Sequence, residues 1–578
     1  MVRSLISQFS QQCVSIPTSL ETLFSSYENG NRQPSLDSLL EAMSSIIQEF
    51  PQSYIVLDAL DECTHRTELM TILERVAEWK LDELHVLVTS RKEHEIERSL
   101  ESIVTTQNTI CLQSEVVDRD ISTYVCQRLF DDKTLSKWQK DSQIRHQIET
   151  ALMNGAHGMY VYLRSVFKSN IKIINRFRWA VCQLDTLGKC RNRLALRKSL
   201  ETLPPTLDET YDRILCAIDT EDSKYADRIL RWLAFAARPL ILEEIAEVVA
   251  IDVERSPAFD SEEVLEDPLE VLSICSSLVT ITTTKGDQST TKVVAFAHYS
   301  VKEYLTSERI LQSRAARYSI QDIACNEFIA KACIGYLLQF QTLDSLSSEK
   351  IQESKLALYT AEFWITHAKA AAPETEALSR LIMELFSTVN NTYQNWTRIY
   401  NLDDPRKGPN FDRILAEVPA PLYYASLSGL VNIVALLVFE DGVDINAQGG
   451  AFGNALQAAS IEGHDKTVEL LLAHGADINV QGGPYGNALQ AASIRGYNKT
   501  VELLLGHGAD INAQGGPYGS ALQAASARGH NKIVELLLAH GADINAQGSF
   551  YSSALQAASI EGHDKTVELL LAHGASLS

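Results

Sequence analysis

ALQAAS occupies residues 455–460, and the same six letters return at 488, 521 and 554, a constant spacing of 33. A related stretch, PLYYAS, begins at 421, which is 34 residues before the first ALQAAS. The spacing is one residue longer there because VFEDGVD replaces LAHGAD. Each copy of ALQAAS continues into a second apolar stretch of the type TVELLLAHGA. A fixed period of 33 residues with two amphipathic helices per unit indicates a solenoid of stacked helix pairs.

Capping residues mark the helix ends in each unit, because a side-chain oxygen satisfies the first turn and glycine adopts the left-handed backbone after the last. The predicted N-caps are Asn454, Asn487, Ser520 and Ser553, and the predicted glycine stops are Gly463, Gly496, Gly529 and Gly562 for the first helix and Gly475, Gly508, Gly541 and Gly574 for the second. This pattern predicts five ankyrin repeats over residues 416–578. Gln457 and its equivalents replace the usual histidine, and their amides can still donate and accept within the turn.

One aromatic residue occupies the same place in each inter-repeat hairpin: Phe452, Tyr485, Tyr518 and Tyr551. The period predicts that these rings form a row along the exposed hairpin edge, and exposed aromatics are favoured anchors for a protein partner. Alternatively, each ring packs on the next loop and orders a glycine-rich turn. The binding surface would then be the concave helix face, around Glu462, Arg495, Arg528 and Glu561.

YIVLDALDEC at residues 54–63 is a short apolar strand that ends in the carboxylates Asp58, Asp61 and Glu62. A buried parallel strand that delivers acids to Mg²⁺ has this pattern, which is called Walker B. LHVLVTSR at residues 84–91 is a second such strand, and Arg91 at its carboxyl end could reach a terminal phosphate. The alternative is that the three acids simply belong to a loop after a buried strand.

The phosphate-binding glycine loop that should accompany these strands is missing from the sequence. No stretch before residue 54 resembles G-x-x-x-x-G-K-[ST], and the only Gly-Lys pair, at Gly188, is followed by Cys190 and lacks the first glycine. The sequence therefore predicts half of a nucleotide site.

The order of helix and strand patterns divides the chain into five regions. We predict a multidomain protein with a partial P-loop-type α/β domain, helical and winged-helix domains, and a C-terminal α-helical ankyrin solenoid. The predicted boundaries are 1–117 for the α/β core, 118–224 for a helical subdomain, 225–310 for a winged helix, 311–415 for a helical connector and 416–578 for the repeats.

Composition narrows the range of partners. The formal charge of −23 repels phosphate backbones, so nucleic acid and an anionic membrane surface are poor partners. Ten cysteines without a C-x-x-C pair indicate neither a zinc knuckle nor a disulfide framework, which favours a reducing cytoplasm. No stretch is long and apolar enough to span a membrane.

In this order, the Walker B strand, the sensor arginine, the winged helix with RPL (238–240) and AHYSVKEYL (297–305), and the ankyrin repeats resemble the fungal STAND-type NACHT proteins. The first region resembles the nephrocystin-like NTPase module, and the winged helix resembles that of the glycosylphosphatidylinositol inositol-deacylase. The resemblance implies that Asp58 holds Mg²⁺ through water, Asp61 or Glu62 orients the attacking water, and Arg91 senses the γ-phosphate of Mg·ATP or Mg·GTP.

The sequence departs from that family twice. It begins after the family's P-loop strand, so we expect Asp58, Asp61 and Glu62 to be ancestral and inactive, with no cofactor bound. The family's A-x-G-M-F-x-W-A motif is split between Met159 and Phe177, which suggests an insertion at 160–176.

Two functions follow from these observations. The first is a STAND-type signalling protein with an incomplete nucleotide switch, whose repeats bind a protein ligand and whose NTPase region could self-associate. The second is an ankyrin interaction scaffold with a vestigial NTPase remnant.

Overall fold

The computed structural model describes residues 1–576 except residues 11, 14–16, 27–33, 58–59, 61–62, 64–65, 82, 91–93, 102–113, 159–168, 286–289, 342–345, 373–374, 390, 441 and 549. The chain divides into two compact units, residues 1–211 and 212–578.

The first unit opens with alternating helices and strands, as the apolar pattern predicts. These elements are α1 (Val2–Ser10), α2 (Thr18–Ser26), α3 (Leu36–Ile47), β1 (Ser53–Leu57), α4 (Arg66–Glu78), β2 (Leu84–Val88) and α5 (His94–Glu101). The strands β1 and β2 run parallel, with Leu57 opposite Val88. Ile55 on one face of this sheet packs into a core with Met43 of α3 and Val76 of α4.

The remainder of the first unit is helical. Its helices are α6 (Ser114–Asp131), α7 (Ser136–Gln139), α8 (Ser142–Gly158), α9 (Ser169–Lys189), α10 (Arg193–Glu201) and α11 (Leu207–Cys216), the last of which continues into the second unit. Trp179 is fully buried, and its indole N–H donates to the carbonyl of Pro204 at 2.8 Å. Of the insertion predicted at 160–176, residues 160–168 lie outside the described residues, and the remainder forms the start of α9.

The second unit begins with a helical and sheet module. Its elements are α12 (Ser223–Phe235), β3 (Leu240–Ile241), α13 (Leu242–Val248), α14 (Val271–Cys275), β4 (Val279–Lys285), β5 (Thr290–Phe296), α15 (Tyr299–Thr306) and α16 (Glu308–Leu311). The strands form an antiparallel sheet in the order β3-β5-β4. Arg238 before β3 donates to both carboxylate oxygens of Glu244, at 2.9 and 2.6 Å. His298 caps α15, because its Nδ1 accepts from the backbone N–H of Ser300.

A helical connector follows, comprising α17 (Asp322–Leu337), α18 (Ser348–Glu353), α19 (Ala357–Ala370), α20 (Glu376–Leu385) and α21 (Thr392–Ile399). Its core contains aromatic side chains in mutual contact, including Trp364 and Trp396, whose ring centroids lie 5.5 Å apart. Such ring pairs combine large buried areas with a preferred geometry, so they stabilise one packing arrangement of these helices.

Five helix pairs complete the second unit, in agreement with the 33-residue period. They are α22 (Pro421–Ser428) with α23 (Val431–Val438), α24 (Ala455–Ile461) with α25 (Asp465–Ala473), α26 (Ala488–Arg495) with α27 (Asn498–Gly506), α28 (Ala521–Ser526) with α29 (Asn531–Ala539), and α30 (Ala554–Ile560) with α31 (Asp564–Ala572). The side chains of the predicted N-caps accept hydrogen bonds from backbone N–H groups in the first turns of their helices. The eight predicted glycine stops all have positive φ.

The described helices include none that combines sufficient length with the apolar character needed to cross a bilayer.

Candidate functional site

The predicted nucleotide-site residues follow the carboxyl ends of β1 and β2. The backbone N–H of Thr89 donates to the carbonyl of Leu57, and the carbonyl of Thr89 accepts from Leu60, both at 2.9 Å. These bonds place the two strand ends side by side at one edge of the sheet. Asp58, Asp61, Glu62 and Arg91 themselves lie outside the described residues. Their predicted catalytic, Mg²⁺-binding and phosphate-sensing roles therefore rest on the sequence.

In the second, third and fourth repeats, the glutamine that replaces the usual histidine connects the repeat to the one that follows. Gln457 is 2% exposed, and its Oε1 accepts from the backbone N–H of Asn454 at 2.8 Å. Its Nε2 donates to three carbonyl oxygens of the following hairpin, those of Val480, Gly482 and Gly486, at 3.3, 3.1 and 2.8 Å. Because these groups are buried, the glutamine fixes the position of the hairpin that carries the predicted binding ring.

The four predicted hairpin rings stack in two pairs. The ring centroids of Phe452 and Tyr485 lie 6.1 Å apart, and those of Tyr518 and Tyr551 lie 6.4 Å apart. The planes of each pair are tilted by only 23° and 25°. Tyr551 is buried at 5% exposure, whereas the other three rings are partly exposed. The rings therefore pack on one another and also present surface to solvent.

Two of the charged residues at the ends of the inner helices, Arg528 and Glu561, contact the rings of their own repeats. Arg528 donates to the hydroxyl of Tyr518 at 3.1 Å, and its guanidinium carbon lies 6.0 Å from that ring's centroid. The hydroxyl of Tyr551 donates to Glu561, ten residues further on. Burial, together with the hydrogen bond to Glu561, raises the pKa of the Tyr551 hydroxyl above its usual value.

The two surfaces that the sequence presented as alternatives therefore meet in the last two repeats. We call their combined residues the ring–charge strip: Phe452, Tyr485, Tyr518, Tyr551, Glu462, Arg495, Arg528 and Glu561. At the other end of this strip, a guanidinium nitrogen of Arg495 lies 4.0 Å from a carboxylate oxygen of Glu462. Burial raises the pKa of Glu462, and the charge of Arg495 opposes that rise.

Some of the positions that differ between the near-identical repeats lie on this strip or beside it. The outer-helix sequence K-[TI]-V-E-L-L-L is the same in the repeats that begin at residues 444, 477, 510 and 543. The residue at the inner-helix end is instead Glu, Arg, Arg and Glu in succession. Hairpin positions also change, since Gly453 and Gly486 correspond to Ser552 in the last repeat. The hairpin tips and the inner-helix ends thus vary between repeats, and a few buried positions vary as well, such as Ile494, which corresponds to Ala527.

A residue that the sequence did not single out closes the N-terminal end of the array. Asp403 accepts from the hydroxyl groups of Tyr423 and Tyr424, at 2.7 and 3.0 Å. The Tyr423 hydroxyl also accepts from the backbone N–H of Phe452 at 3.1 Å, so Tyr423 holds the first hairpin where later repeats use glutamine. In the sequence, only the change from ALQAAS to PLYYAS indicates that Tyr423 takes over the role of the glutamine.

The repeat histidines have structural partners. His464 Nε2 lies 3.1 Å from the carbonyl oxygen of Leu427, and His474 Nδ1 lies 2.8 Å from that of Leu470. Among the residues that the structure describes, no group of three or more His, Cys, Asp and Glu side chains is arranged to hold a metal ion.

Comparison with known proteins supports the modular organisation. The family model described as Nephrocystin 3, N-terminal, matches residues 1–91. The model for the GPI inositol-deacylase winged helix domain matches residues 211–321. The model for ankyrin repeats (3 copies) matches residues 422–515 and 489–578.

The chain is also similar to curated fungal proteins. It is 37% identical to azaphilone pigments biosynthesis cluster protein L of Monascus ruber over 356 residues, which cover 59% of this chain and 75% of that protein. The chain belongs to the same family as protein L. It is also 25% identical over 378 residues to vegetative incompatibility protein HET-E-1 of Podospora anserina, which covers 63% of this chain.

This chain therefore combines similarity to fungal NACHT-like proteins with ankyrin repeats, a class of module that generally mediates protein–protein interaction. The matched region spans a quarter of HET-E-1.

Proposed function

We propose that this member of the protein L family is a fungal STAND-like signalling protein of the cytoplasm, whose ankyrin array captures a protein ligand through the ring–charge strip. The observation that carries the proposal is the contact on one surface between stacked aromatic rings and charged helix-end residues that change from repeat to repeat. Aromatic and arginine side chains are the residue types that most often dominate binding energy at interfaces.

The side chains of the strip are held in place before a ligand binds, which favours tight binding. The rings are already stacked, and Tyr518 and Tyr551 are held by Arg528 and Glu561. Side chains fixed before binding lose less conformational entropy when a partner arrives. A preformed surface of this kind suits a folded protein or an extended segment that presents apolar groups to the rings.

Charge defines the partner further. Residues 421–578 carry fourteen carboxylates against six lysines and arginines, a net charge of −8. Such a field accelerates association with a neutral to basic partner, and salt screens that acceleration. Within this acidic background, Arg495 and Arg528 form a central positive segment between Glu462 and Glu561. A ligand with an acidic centre and basic flanks fits this order.

The nucleotide-dependent part of the function is a separate proposal. The resemblance to STAND-type NACHT proteins suggests a switch based on Mg·ATP or Mg·GTP, in which Asp58, Asp61, Glu62 and Arg91 would act. The chain contains no G-x-x-x-x-G-K-[ST] cradle to bind the phosphates. We therefore propose that this chain holds no nucleotide and that its switch is incomplete. In the alternative proposal, the chain is an interaction scaffold with an NTPase remnant.

Charge reversal tests the strip. The full chain and its Arg495→Glu/Arg528→Glu variant would be used to capture proteins from a fungal extract, with quantification by mass spectrometry. We expect a specific ligand to be lost from the variant and to be captured less well at high salt. Glu469→Lys is the matched control, because Glu469 is exposed on the outer helix away from the strip. A ligand retained equally by both variants would contradict the proposal.

A further inference from the structure

The outer helix of the first repeat differs from the outer helices of the repeats that follow. In α25 the outward side carries Lys466 and Glu469, and the same pair recurs in α27, α29 and α31. These lysines and glutamates are all exposed. At the equivalent positions, α23 has Asn432 and Ala435. The first repeat therefore lacks the charges that make the outward side of its neighbours hydrophilic.

Apolar side chains occupy the outward side of α23 instead. Its residues at helical spacing, which share one face of the helix, are Asn432, Ala435, Leu436 and Phe439. We call this set the α23 stripe. Leu436 is 45% exposed and Phe439 is 74% exposed, whereas the residue of α25 equivalent to Phe439 is Ala473. An exposed ring beside an exposed aliphatic side chain forms an apolar patch of the kind that marks an interaction surface.

The ring of Phe439 is ordered by a contact with the next repeat. It meets the imidazole of His474 edge to face, with ring centroids 4.9 Å apart and planes at 89°. His474 is fixed in turn, because its Nδ1 lies 2.8 Å from the carbonyl oxygen of Leu470. Helix α23 lies next to α20 of the connector and α25 of the second repeat, and neither covers the stripe. A ring held in this way loses little conformational entropy when a partner binds.

The surroundings of this ring are acidic. Phe439 is the C-cap of α23, at the negative end of the helix dipole. The exposed carboxylates of Glu440 and Asp444 follow closely in the sequence. A second copy of this chain, with its formal charge of −23, would bring further negative charge to the stripe, and an anionic membrane surface is repelled in the same way. A basic partner is attracted by this field.

We propose that the α23 stripe binds an amphipathic helix with a basic flank, supplied by another protein. Apolar residues one helical turn apart on that helix pack against Leu436 and Phe439, and its lysines or arginines meet Glu440 and Asp444. The stripe lies on an outer helix, whereas the ring–charge strip lies on the hairpins and the inner-helix ends. The inference therefore does not rest on the proposed ligand.

Giving α23 the outward residues of α25 removes the stripe without changing the net charge. The variant is Asn432→Lys/Ala435→Glu/Phe439→Ala, and α25 shows that these residues are compatible with an outer helix of the same array. The probe is a fluorescein-labelled peptide of leucine and lysine, about four helical turns long, with leucine along one face. Its anisotropy is measured during titration with the full chain. We expect saturable binding by the wild type and at least about ten-fold weaker binding by the triple variant, because the exposed ring is lost.

Phe550→Ala is the matched control variant. Phe550 is also 74% exposed, but it lies in the last hairpin, with its ring centroid 4.8 Å from that of Tyr551. This variant should bind the peptide as the wild type does. The Tyr485→Ala/Tyr518→Ala variant should also bind it normally, so failure of the ring–charge strip is distinguishable from failure of the α23 stripe.

Two further measurements test the chemistry and the place of binding. A peptide in which glutamate replaces every lysine should bind at least about ten-fold more weakly, because the acidic surroundings of Phe439 repel it. Hydrogen exchange followed by mass spectrometry should show that the lysine peptide protects residues 431–440 of the full chain.

Four outcomes would overturn the proposal. The first is the absence of binding with a Kd below about 1 mM, and the second is equal affinity of the wild type and the triple variant for the lysine peptide. The third is equal binding of the glutamate peptide, because charge would then not select the partner. The fourth is self-association of the unmixed chain in sedimentation velocity that the triple variant abolishes, because the occupant would then be a second copy.

Discussion

Glu247 accepts a hydrogen bond from the hydroxyl of Tyr336 at 2.7 Å, although 89 residues separate them in sequence. The same carboxylate accepts from the backbone N–H groups of Lys355 and Leu356, each at 2.9 Å. Glu247 is only 7% exposed, so three protein donors replace the water that would otherwise solvate its charge. This one side chain ties α13 to α17 and to the start of α19.

Removing this carboxylate should destabilise the second unit strongly. We expect Glu247→Ala to lower the free energy of unfolding by about 3–4 kcal/mol, because three buried donors lose their acceptor. Tyr336→Phe should lower it by about 1–2 kcal/mol, since only one donor is removed. Urea titration of the full chain measures both effects. Glu243→Ala, on the exposed side of the same helix, should change it by less than about 0.5 kcal/mol. Equal losses in all three variants would contradict this assignment.

The ankyrin solenoid could be predicted from the sequence because its signals are local. A helix cap, a positive-φ glycine and an apolar stripe each involve residues within one repeat, and the 33-residue period multiplies them. Even the Gln457 substitution was interpretable, because an amide carries both a donor and an acceptor.

The contacts that join distant segments could not be predicted in this way. Nothing in the sequence near Glu247 identifies Tyr336 as its partner, and Asp403 likewise meets Tyr423 only after folding. The period also identified the rings and the helix-end charges as separate rows. The contacts of Tyr518 with Arg528 and of Tyr551 with Glu561 show that the two rows meet in one surface. For Asp58, Asp61, Glu62 and Arg91, the structure shows only that the two strands that precede them end side by side. The roles of these residues remain predictions from the sequence.

The inter-repeat glutamines offer a test in which the same residue occupies two environments. Gln490→Ala should lower the free energy of unfolding by about 2–3 kcal/mol, because buried carbonyl groups of the next hairpin lose their donor. Gln556→Ala should cost less than about 1 kcal/mol, because Gln556 is exposed. Calorimetry of the full chain would compare the two variants. Gln490→His should restore most of the loss, since imidazole can also donate and accept. Equal costs at both positions would show that the inter-repeat bonds are not the stabilising element.

A buried histidine in the connector should make this region sensitive to acid. His367 is 2% exposed, lies 2.9 Å from the Tyr359 hydroxyl and 2.9 Å from Asn326 Oδ1, and its pKa is lowered by burial to about 4. Because Asn326 Oδ1 can only accept, we infer that His367 Nδ1 donates to it and that Nε2 accepts from Tyr359. A proton on Nε2 would remove that acceptor.

The direction of the pH dependence follows from the order of the two pKa values. The folded pKa lies below the unfolded value of about 6.5, so the unfolded state binds more protons between these values. Stability should therefore fall as the pH decreases from 6.5 to 4, by at most about 3 kcal/mol from this group. Thermal unfolding across this range should show a shallower dependence for His367→Gln than for the wild type. Identical slopes would exclude His367 as the titrating group.

The proposed absence of a nucleotide leads to a direct binding test. We expect isothermal titration of the full chain with Mg·ATP or Mg·GTP to show no saturable heat, because phosphate affinity in this class depends on P-loop amides and lysine. Asp58→Ala should then titrate like the wild type. Micromolar affinity that Asp58→Ala removes would contradict the proposal and would show that the strand-end carboxylates still hold a metal–nucleotide complex.

The burial of each hairpin ring predicts whether its removal mainly lowers stability or mainly lowers ligand affinity. Tyr485 and Tyr518 are partly exposed, so the Tyr485→Ala/Tyr518→Ala variant should lower stability by only about 1–2 kcal/mol, the scale of two lost ring pairs. Tyr551→Ala should lower it by about 3 kcal/mol, because this buried ring also loses its bond to Glu561. Ligand capture should show the opposite order, with the double variant losing at least about ten-fold in affinity because its rings are accessible to a partner. If the double variant unfolds the array instead, the rings are primarily structural and the charged half of the strip must supply the binding energy.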